Sequence, residues 1–298
     1  MANPVIRCSH LYHRYGKNEV IKNLNFEIQR GGIYGLLGKN GAGKTTTINI
    51  LMGYIEPCSG VCEVLGDASH NLQPVTRSKI GLLHEGFTQY DFMTIEQIEK
   101  FYSKFYQNWK SHIFWDLVFK LKVPSSRKLS KLSFGQKSQV CLGLLMAQSP
   151  ELMILDDYSM GLDVGYRRLL LDYLKDYVDE HGTTVLLTSH IVQDLERLID
   201  HMLIIQDGQL LYSASRGHFF ENLKQWKFEL DLANGVAMPF APNILVSLEQ
   251  INKHVFVSSF KDEALVKNYL RDQGLELRGW HELPLSFEDA FLCLTGKY

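Results

Sequence analysis

Asp156 and Asp157 stand side by side at the end of an apolar run, in "MILDDYSMGLD", residues 153–163. Burying an unpaired charge is costly, so two carboxylates at the tip of a buried strand need a cation, a proton or a chemical role. A second stretch with chemistry in it lies upstream. "GKNGAGKTT", Gly38 to Thr46, follows the apolar run "GIYGLL" and matches G-x-x-x-x-G-K-[ST] through Gly38, Gly43, Lys44 and Thr45. Glycines let backbone wrap closely around phosphate oxygens, and successive N–H groups, including those of Asn40 and Gly41, turn inward. The helix that begins at the loop points its positive end at the same anion. Lys44 reaches the β- and γ-phosphates, and the Thr45 hydroxyl is placed to ligate Mg²⁺. In folds with such a loop, a second strand ends in an acid that holds the metal. Asp156 fits that place and would face a cation.

These residues need strands and helices to position them. "GIYGLL" (32–37), "KIGLL" (79–83), "LMILD" (152–156), "TVLLT" (184–188) and "MLIIQ" (202–206) are short apolar runs punctuated by Gly, Asp or His. They read as buried, mostly parallel strands with helices between them. "VIRCSHLYHRY" and "NLNFEIQ" alternate more, as half-buried antiparallel strands do. "LSFGQ", Leu132 to Gln136, reads as a capping box opening the helix "KSQVCLGLLMA", with Ser133 at the N-cap and Gln136 at N3. In "FTQYDFMTIEQIEKFYSKFYQNWKSHIFWDLVFKL" (87–121), Phe101, Phe105 and Trp109, or Tyr102 and Tyr106, recur at helical spacing, which predicts a core stripe. From about Arg216 the texture changes. "KFELDLA" (227–233) and "HVFVSSF" (254–260) read as strands, "DEALVKNYLRDQG" as a helix ending on Gly274, and "LSFEDAFLCLTG" as a final helix capped by Ser286.

Composition narrows the function classes. The chain has 298 residues, 45% hydrophobic and 21% charged, with a net charge of −2. Those are values of a globular protein with a full core. A slightly acidic chain offers no electrostatic footprint for nucleic acid or an acidic membrane surface. No uncharged apolar run reaches bilayer-spanning length, and "MANPVIRCSH" lacks the apolar core of a signal peptide. The expectation is a cytoplasmic protein, held at a membrane only through a partner. Five cysteines, Cys8, Cys58, Cys62, Cys141 and Cys293, include no CxxC pair and read as reduced thiols.

Taken together, the motifs resemble the nucleotide-binding domain of ABC transporters. The family order is a P-loop, a Gln-bearing loop, an LSGGQ-like signature, an acidic strand, a D-loop and a switch His. Here these are "GKNGAGKTT", "GLLHEG", "LSFGQ", "LMILDD", "MGLD" and "TSH". The resemblance covers roughly residues 4–215. It implies an α/β P-loop NTPase fold of the ABC type, with an antiparallel β flank and a helical subdomain at about 87–147. Residues 1–215 would form the nucleotide-binding domain and 216–298 a small mixed α/β accessory domain. By the same resemblance Tyr15 stacks on adenine, while Lys44, Thr45 and Thr46 take phosphate and metal positions. Ser133 and Gly135 of the signature face the γ-phosphate of ATP held by another subunit, and Gln136 of the signature and Asp163, which matches the D-loop Asp, are nucleotide-binding positions. His190 is the switch His near the γ-phosphate. The implied ligands are ATP and Mg²⁺. The implied partners are a second copy or a homologous ATPase subunit, and a separately encoded transmembrane permease that holds the chain on the cytoplasmic face. The tail "PLSFEDAFLCLTG" resembles the end of ATPases from ABC-2-type exporters.

Some positions depart from the family pattern. Asp157 stands where the family usually has a catalytic Glu. Either carboxylate can polarise water, but the reach differs by one methylene, about 1 Å, and such a shift can lower rate by about 10²-fold. Glu85, or alternatively His84, occupies the place of the loop Gln that contacts the metal. Phe134 replaces the first signature Gly, and Tyr158 replaces the Pro after the catalytic carboxylate. The expectation is an ATPase that drives an exporter, with turnover lowered by Asp157. The alternatives are an ATP-dependent clamp paired with an active partner and a non-transport ABC ATPase. The latter usually carries two nucleotide-binding halves or a basic arm, and this chain has neither.

Overall fold

The computed structural model describes residues 3–84, 90–157, 162–189, 192–230 and 239–296, without the side chains of 192–194. The chain divides into two compact units, Met1–Ser213 and Ala214–Tyr298. The first opens with β1 (Ile6–Tyr15), β2 (Asn18–Ile28), β3 (Ile33–Leu37), α1 (Lys44–Leu51), β4 (Ser59–Val64) and β5 (Asp67–Ala68). Next come α2 (Pro74–Arg77), β6 (Ile80–Leu83), α3 (Ile95–Tyr102), α4 (Ser111–Phe119), α5 (Phe134–Ala147) and β7 (Leu152–Leu155). It continues through α6 (Val164–His181), β8 (Thr184–Leu187), α7 (Val192–Leu198), β9 (His201–Gln206) and β10 (Gln209–Ser215).

Two sheets form the body of this unit. One is four-stranded, in the order β2-β1-β4-β5, and its pairs are antiparallel. The other is six-stranded, in the order β10-β9-β3-β8-β7-β6, and the ladder from β9 to β6 is parallel. Their burial patterns explain the difference. β3, β7 and β8 are buried at every position, as strands covered on both faces must be. β1 buries Ile6, Cys8, Leu11 and His13 and exposes much of the rest, as one-sided strands do. Ile6, Leu24 and Ile28 of the antiparallel sheet share a core with Leu36, Ile154 and Leu186 of the parallel sheet and with Ile48 and Leu51 of α1.

A second core belongs to the helical segment, where Ile95, Ile98, Phe114, Val118, Val140 and Leu144 meet. Here the expected aromatic stripe holds in part, since Tyr102 and Trp109 pack against this core half-buried. α3 ends at Tyr102, and the Ser103 hydroxyl donates to the Lys100 carbonyl, so 103–110 does not continue the helix. Phe105 is 65% exposed and packs edge-on against Phe101 instead of entering the core.

The second unit carries α8 (Arg216–Asn222), β11 (Lys224–Glu229), β12 (Ser247–Ile251), β13 (His254–Ser259), α9 (Glu263–Asp272), β14 (Arg278–Leu283) and α10 (Phe287–Thr295). Its sheet runs β12-β13-β11-β14. Trp226, Phe228, Val255 and Val257 on one face close over Val266 and Leu270 of α9. The strand expected at 227–233 begins three residues earlier, at Lys224, and 231–238 lie outside the described residues. Ser286 caps α10 as expected, its hydroxyl accepting from the Asp289 N–H at 3.1 Å.

Candidate functional site

Four neighbouring parallel strands, β3, β8, β7 and β6, end at one edge of the sheet. The crevice beyond the carboxyl ends of such strands is where open α/β sheets bind ligands. β3 runs into the glycine-rich loop, β7 into Asp156 and Asp157, β8 into Thr188 and Ser189, and β6 into His84. A cavity of about 410 Å³ opens there. Asn40, Gly41, Gly43, Lys44, Thr45, Thr46, Asp156 and Asp157 line it together with Asn18, Val20, Thr188 and Ser189.

Two glycines make the loop possible. A Cβ on Gly38 would stand 2.4 Å from the Ile205 carbonyl oxygen, so the loop passes β9 only without a side chain. Gly43 sits at φ 104°, in the left-handed region, and turns the chain into α1. Lys44 is buried at the first position of that helix, and its ammonium donates to the Gly38 carbonyl at 2.6 Å and the Lys39 carbonyl at 3.1 Å. Burial pushes the Lys44 pKa down, and the charges of Asp157 and Asp156 pull it back up in part.

Opposite the loop, Asp156 is 2% exposed and Asp157 6%. Thr188 ties them together. Its hydroxyl donates to Asp156 Oδ1 at 2.8 Å and accepts from the Asp157 N–H at 2.8 Å. Asp157 itself sits at φ 49°, a left-handed turn that Asp tolerates better than most residues. Asp156 Oδ2 lies 3.8 Å from His84 Nδ1, and His84 stacks on Tyr54. The Thr45 hydroxyl and the Asp156 carboxylate are hard oxygen donors of the kind Mg²⁺ takes alongside phosphates and water.

The other sequence-derived positions lie elsewhere. Tyr15 ends β1, 49% exposed, edge-on to His13, and is not among the residues lining the cavity. Ser133 and Gln136 form the capping box read from the sequence: Ser133 N–H donates to Gln136 Oε1 at 3.0 Å and Gln136 N–H to Ser133 Oγ at 3.3 Å. Asp163 caps α6, accepting from the Tyr166 N–H at 2.9 Å. A Cβ on Gly135 would meet the Tyr166 ring at 2.8 Å, so the starts of α5 and α6 lie together. Among the described residues none of Ser133, Gly135, Gln136 and Asp163 lines the cavity. Glu85, Tyr158 and His190 lie outside the described residues. Sequence reasoning missed Thr188, whose one visible mark is its place directly after the apolar run "TVLL".

The family model described as "ABC transporter" matches residues 21–159. The bacitracin transport ATP-binding protein BcrA of Bacillus licheniformis is 32% identical over 98% of this chain and 97% of its own length. This chain belongs to the ABC transporter ATP-binding proteins. The match to BcrA runs beyond the residues that line the cavity into the second unit, so the family likeness is not confined to the motifs. The Nod factor export ATP-binding protein I of Cupriavidus metallidurans is 27% identical over 95% of this chain and 94% of its own. Among solved structures, an ATP-binding subunit of an ABC transporter superposes with a TM-score of 0.64 at 24% identity, covering 73% of this chain and 92% of that one. The ABC cassette MJ0796, solved as a dimer in a post-hydrolysis state with ADP and phosphate, gives 0.61 at 20% identity, covering 71% and 98%. At these identities the two structures establish the ABC ATPase fold. Among the described residues no helix is long and apolar enough to cross a membrane.

Proposed function

We propose that this chain is the ATP-hydrolysing subunit of an ABC exporter, closing on a second ATPase subunit around ATP and driving a separately encoded transmembrane permease from its cytoplasmic face. The observation that carries the reading is the convergence of Lys44, Asp156 and Asp157 on one cavity at the ends of β3 and β7. The loop N–H groups and Lys44 hold the β- and γ-phosphates, and the positive end of α1 adds to the attraction. Tyr15 stacks on adenine. Thr45 and Asp156, with Glu85, are the residues that would hold Mg²⁺, which when bound neutralises charge on the leaving phosphate. Asp157 orients a water and takes its proton as the water oxygen attacks the γ-phosphorus. The bond to the departing ADP breaks, and inorganic phosphate is released. His190 serves near the γ-phosphate. Ser133, Gly135, Gln136 and Asp163 act on the ATP of the facing subunit, where the start of α5 presents N–H groups to the anion.

Export is supported by relatives such as the Nod factor export ATP-binding protein I. For the permease contact, Tyr90, Phe92, Phe101 and Phe105 offer a cluster of ring contacts, with Phe92 68% exposed. Exposed aromatic clusters mark interaction surfaces.

The test is steady-state Mg-ATP hydrolysis by the wild type, Asp157→Asn and Asp157→Glu, with ATP affinity measured for each. Asp157→Asn is expected to lose turnover by about 10²-fold or more while keeping affinity. Asp157→Glu restores the missing methylene and is expected to raise turnover above wild type. Equal rates for wild type and Asp157→Asn would remove Asp157 from the chemistry and favour the clamp.

A further inference from the structure

Outside the nucleotide cavity, the first unit holds two cysteines face to face. Cys8 on β1 and Cys62 on β4 are direct partners in the antiparallel register, and their sulfurs lie 3.6 Å apart. The ladder fixes the kind of pair. The Leu65 N–H donates to the Val5 carbonyl at 2.8 Å, and the register steps evenly from there through Ile6 and Val64, and Arg7 and Glu63, to Cys8 and Cys62. Hydrogen-bonded and open pairs alternate, so Cys8 and Cys62 occupy an open pair. There the Cα atoms approach to about 4.5 Å, with the side chains on one face, within the range a disulfide spans.

The two thiols share one hydrogen bond, and either sulfur can be its donor. Ionisation of one leaves the other as its donor, and thiolate is the reactive form. Both are buried, at 2% and 4% exposure. Among the described residues the only strand beyond β4 is the two-residue β5, so little pairing has to open on this side of the sheet.

We propose that Cys8 and Cys62 form an oxidisable dithiol that hydroperoxides close into a cross-strand disulfide. The thiolate of one cysteine of the pair attacks one oxygen of hydrogen peroxide, the O–O bond breaks, and that sulfur becomes a sulfenic acid as hydroxide leaves and takes up a proton. The other cysteine then attacks the same sulfur, loses its proton, and expels the second water. Two thiols are oxidised by two electrons to one disulfide, and one peroxide is reduced to two waters. The bridge joins positions 54 apart and encloses Tyr15 and the whole phosphate loop from Gly38 to Thr46. A cross-link closing so long a loop restricts the unfolded chain and staples the nucleotide-binding segment.

The test uses the full chain and does not depend on hydrolysis. Native protein is treated with hydrogen peroxide, blocked with an alkylating reagent under denaturing conditions, digested without reduction and mapped by mass spectrometry. The expected product is a Cys8–Cys62 linked peptide, 2 Da lighter than its reduced parts, reversed by dithiothreitol and retained in Cys58→Ser. The oxidised chain is expected to melt on the order of 5–10 °C higher than the reduced chain, a difference absent in Cys8→Ser. Recovery of Cys8 and Cys62 fully alkylated while exposed Cys58 is oxidised would overturn the proposal. So would a Cys58–Cys62 bridge. Should Cys8→Ser fail to fold, the peptide map of the unaltered chain still decides.

Discussion

Thr188 shows how one hydroxyl can set two acids. It donates to the Asp156 carboxylate and accepts from the Asp157 backbone, and both contacts are buried. Replacing it with Val removes both. The Asp157 N–H then has no acceptor, and a buried unsatisfied donor costs about 1–3 kcal/mol. The left-handed turn at Asp157 loses its tether, and the carboxylate shifts relative to the phosphate loop. Thr188→Val is expected to lower kcat about 10–100-fold with a smaller change in the KM for ATP, because the phosphate loop is untouched. Thr188→Ser keeps the hydroxyl and is expected to stay within a few-fold of wild type. Equal losses in Ser, which keeps the hydroxyl, and Val, which lacks it, would show that the hydroxyl is not what sets the acids. The acids themselves were legible because two adjacent carboxylates after an apolar run have few bland explanations. Thr188 was not, since a Thr at a strand end ordinarily says nothing until the neighbouring strand is known to be β7.

At the scale of elements, local signals were read well where chemistry and structure coincide. The capping box at Ser133 and Gln136 formed as its spacing implied, and α10 starts at its Ser cap. Of the aromatics from Phe101 to Trp109, Tyr102 and Trp109 pack against the helical core while Phe105 does not, because periodicity cannot register that the chain turns after Tyr102. β14 was invisible in the sequence, since "RGWHEL" is largely exposed and buries no residue fully. It pairs with β11 through a register irregularity that no local pattern announces. One contact between elements yields a sharp prediction. Gly135 lets α5 meet Tyr166 of α6, and an added methyl would sit 2.8 Å from the ring carbon. Tyr166 is packed against the helical core, so it gives way only by moving α6 or leaving its rotamer. Gly135→Ala is expected to destabilise by about 1–3 kcal/mol, read as a lower midpoint in denaturant at unchanged slope. An unaltered midpoint would show that the ring moves aside freely.

At the scale of the whole molecule, the sheet order carries the strongest long-range information, and the sequence supplies it only through motif order. The strands bearing the loop and the acids are not neighbours, because β8 lies between β3 and β7. The second unit's mixed composition was legible, but its sheet order was not, since two of its strands, β12 and β14, lack a clean alternation. The placement of the signature leads to the last prediction. The cavity is lined by the phosphate loop and the β7 and β8 ends, while the starts of α5 and α6 stand apart from it with Phe134 44% and Val164 71% exposed. Apolar side chains beside two helix starts suit a surface that another subunit covers. On the proposed reading, ATP held at that seam would favour association by mass action, and blocking hydrolysis would let the closed form accumulate. Asp157→Asn with ATP is therefore expected to run at twice the mass of the nucleotide-free chain by light scattering. Ser133→Arg in that background puts a bulky cation at the start of α5 and is expected to hold the chain monomeric while ATP affinity of the monomer stays within a few-fold. The Arg change also removes a helix cap, worth about 1 kcal/mol, so Ser133→Ala serves as the control that loses the Ser133 hydroxyl without adding the bulky cation. If Ser133→Ala dimerises and Ser133→Arg does not, the start of α5 belongs to the seam. If Ser133→Arg dimerises as well as its parent, the α5 start lies outside it, and the facing subunit completes the site with other residues.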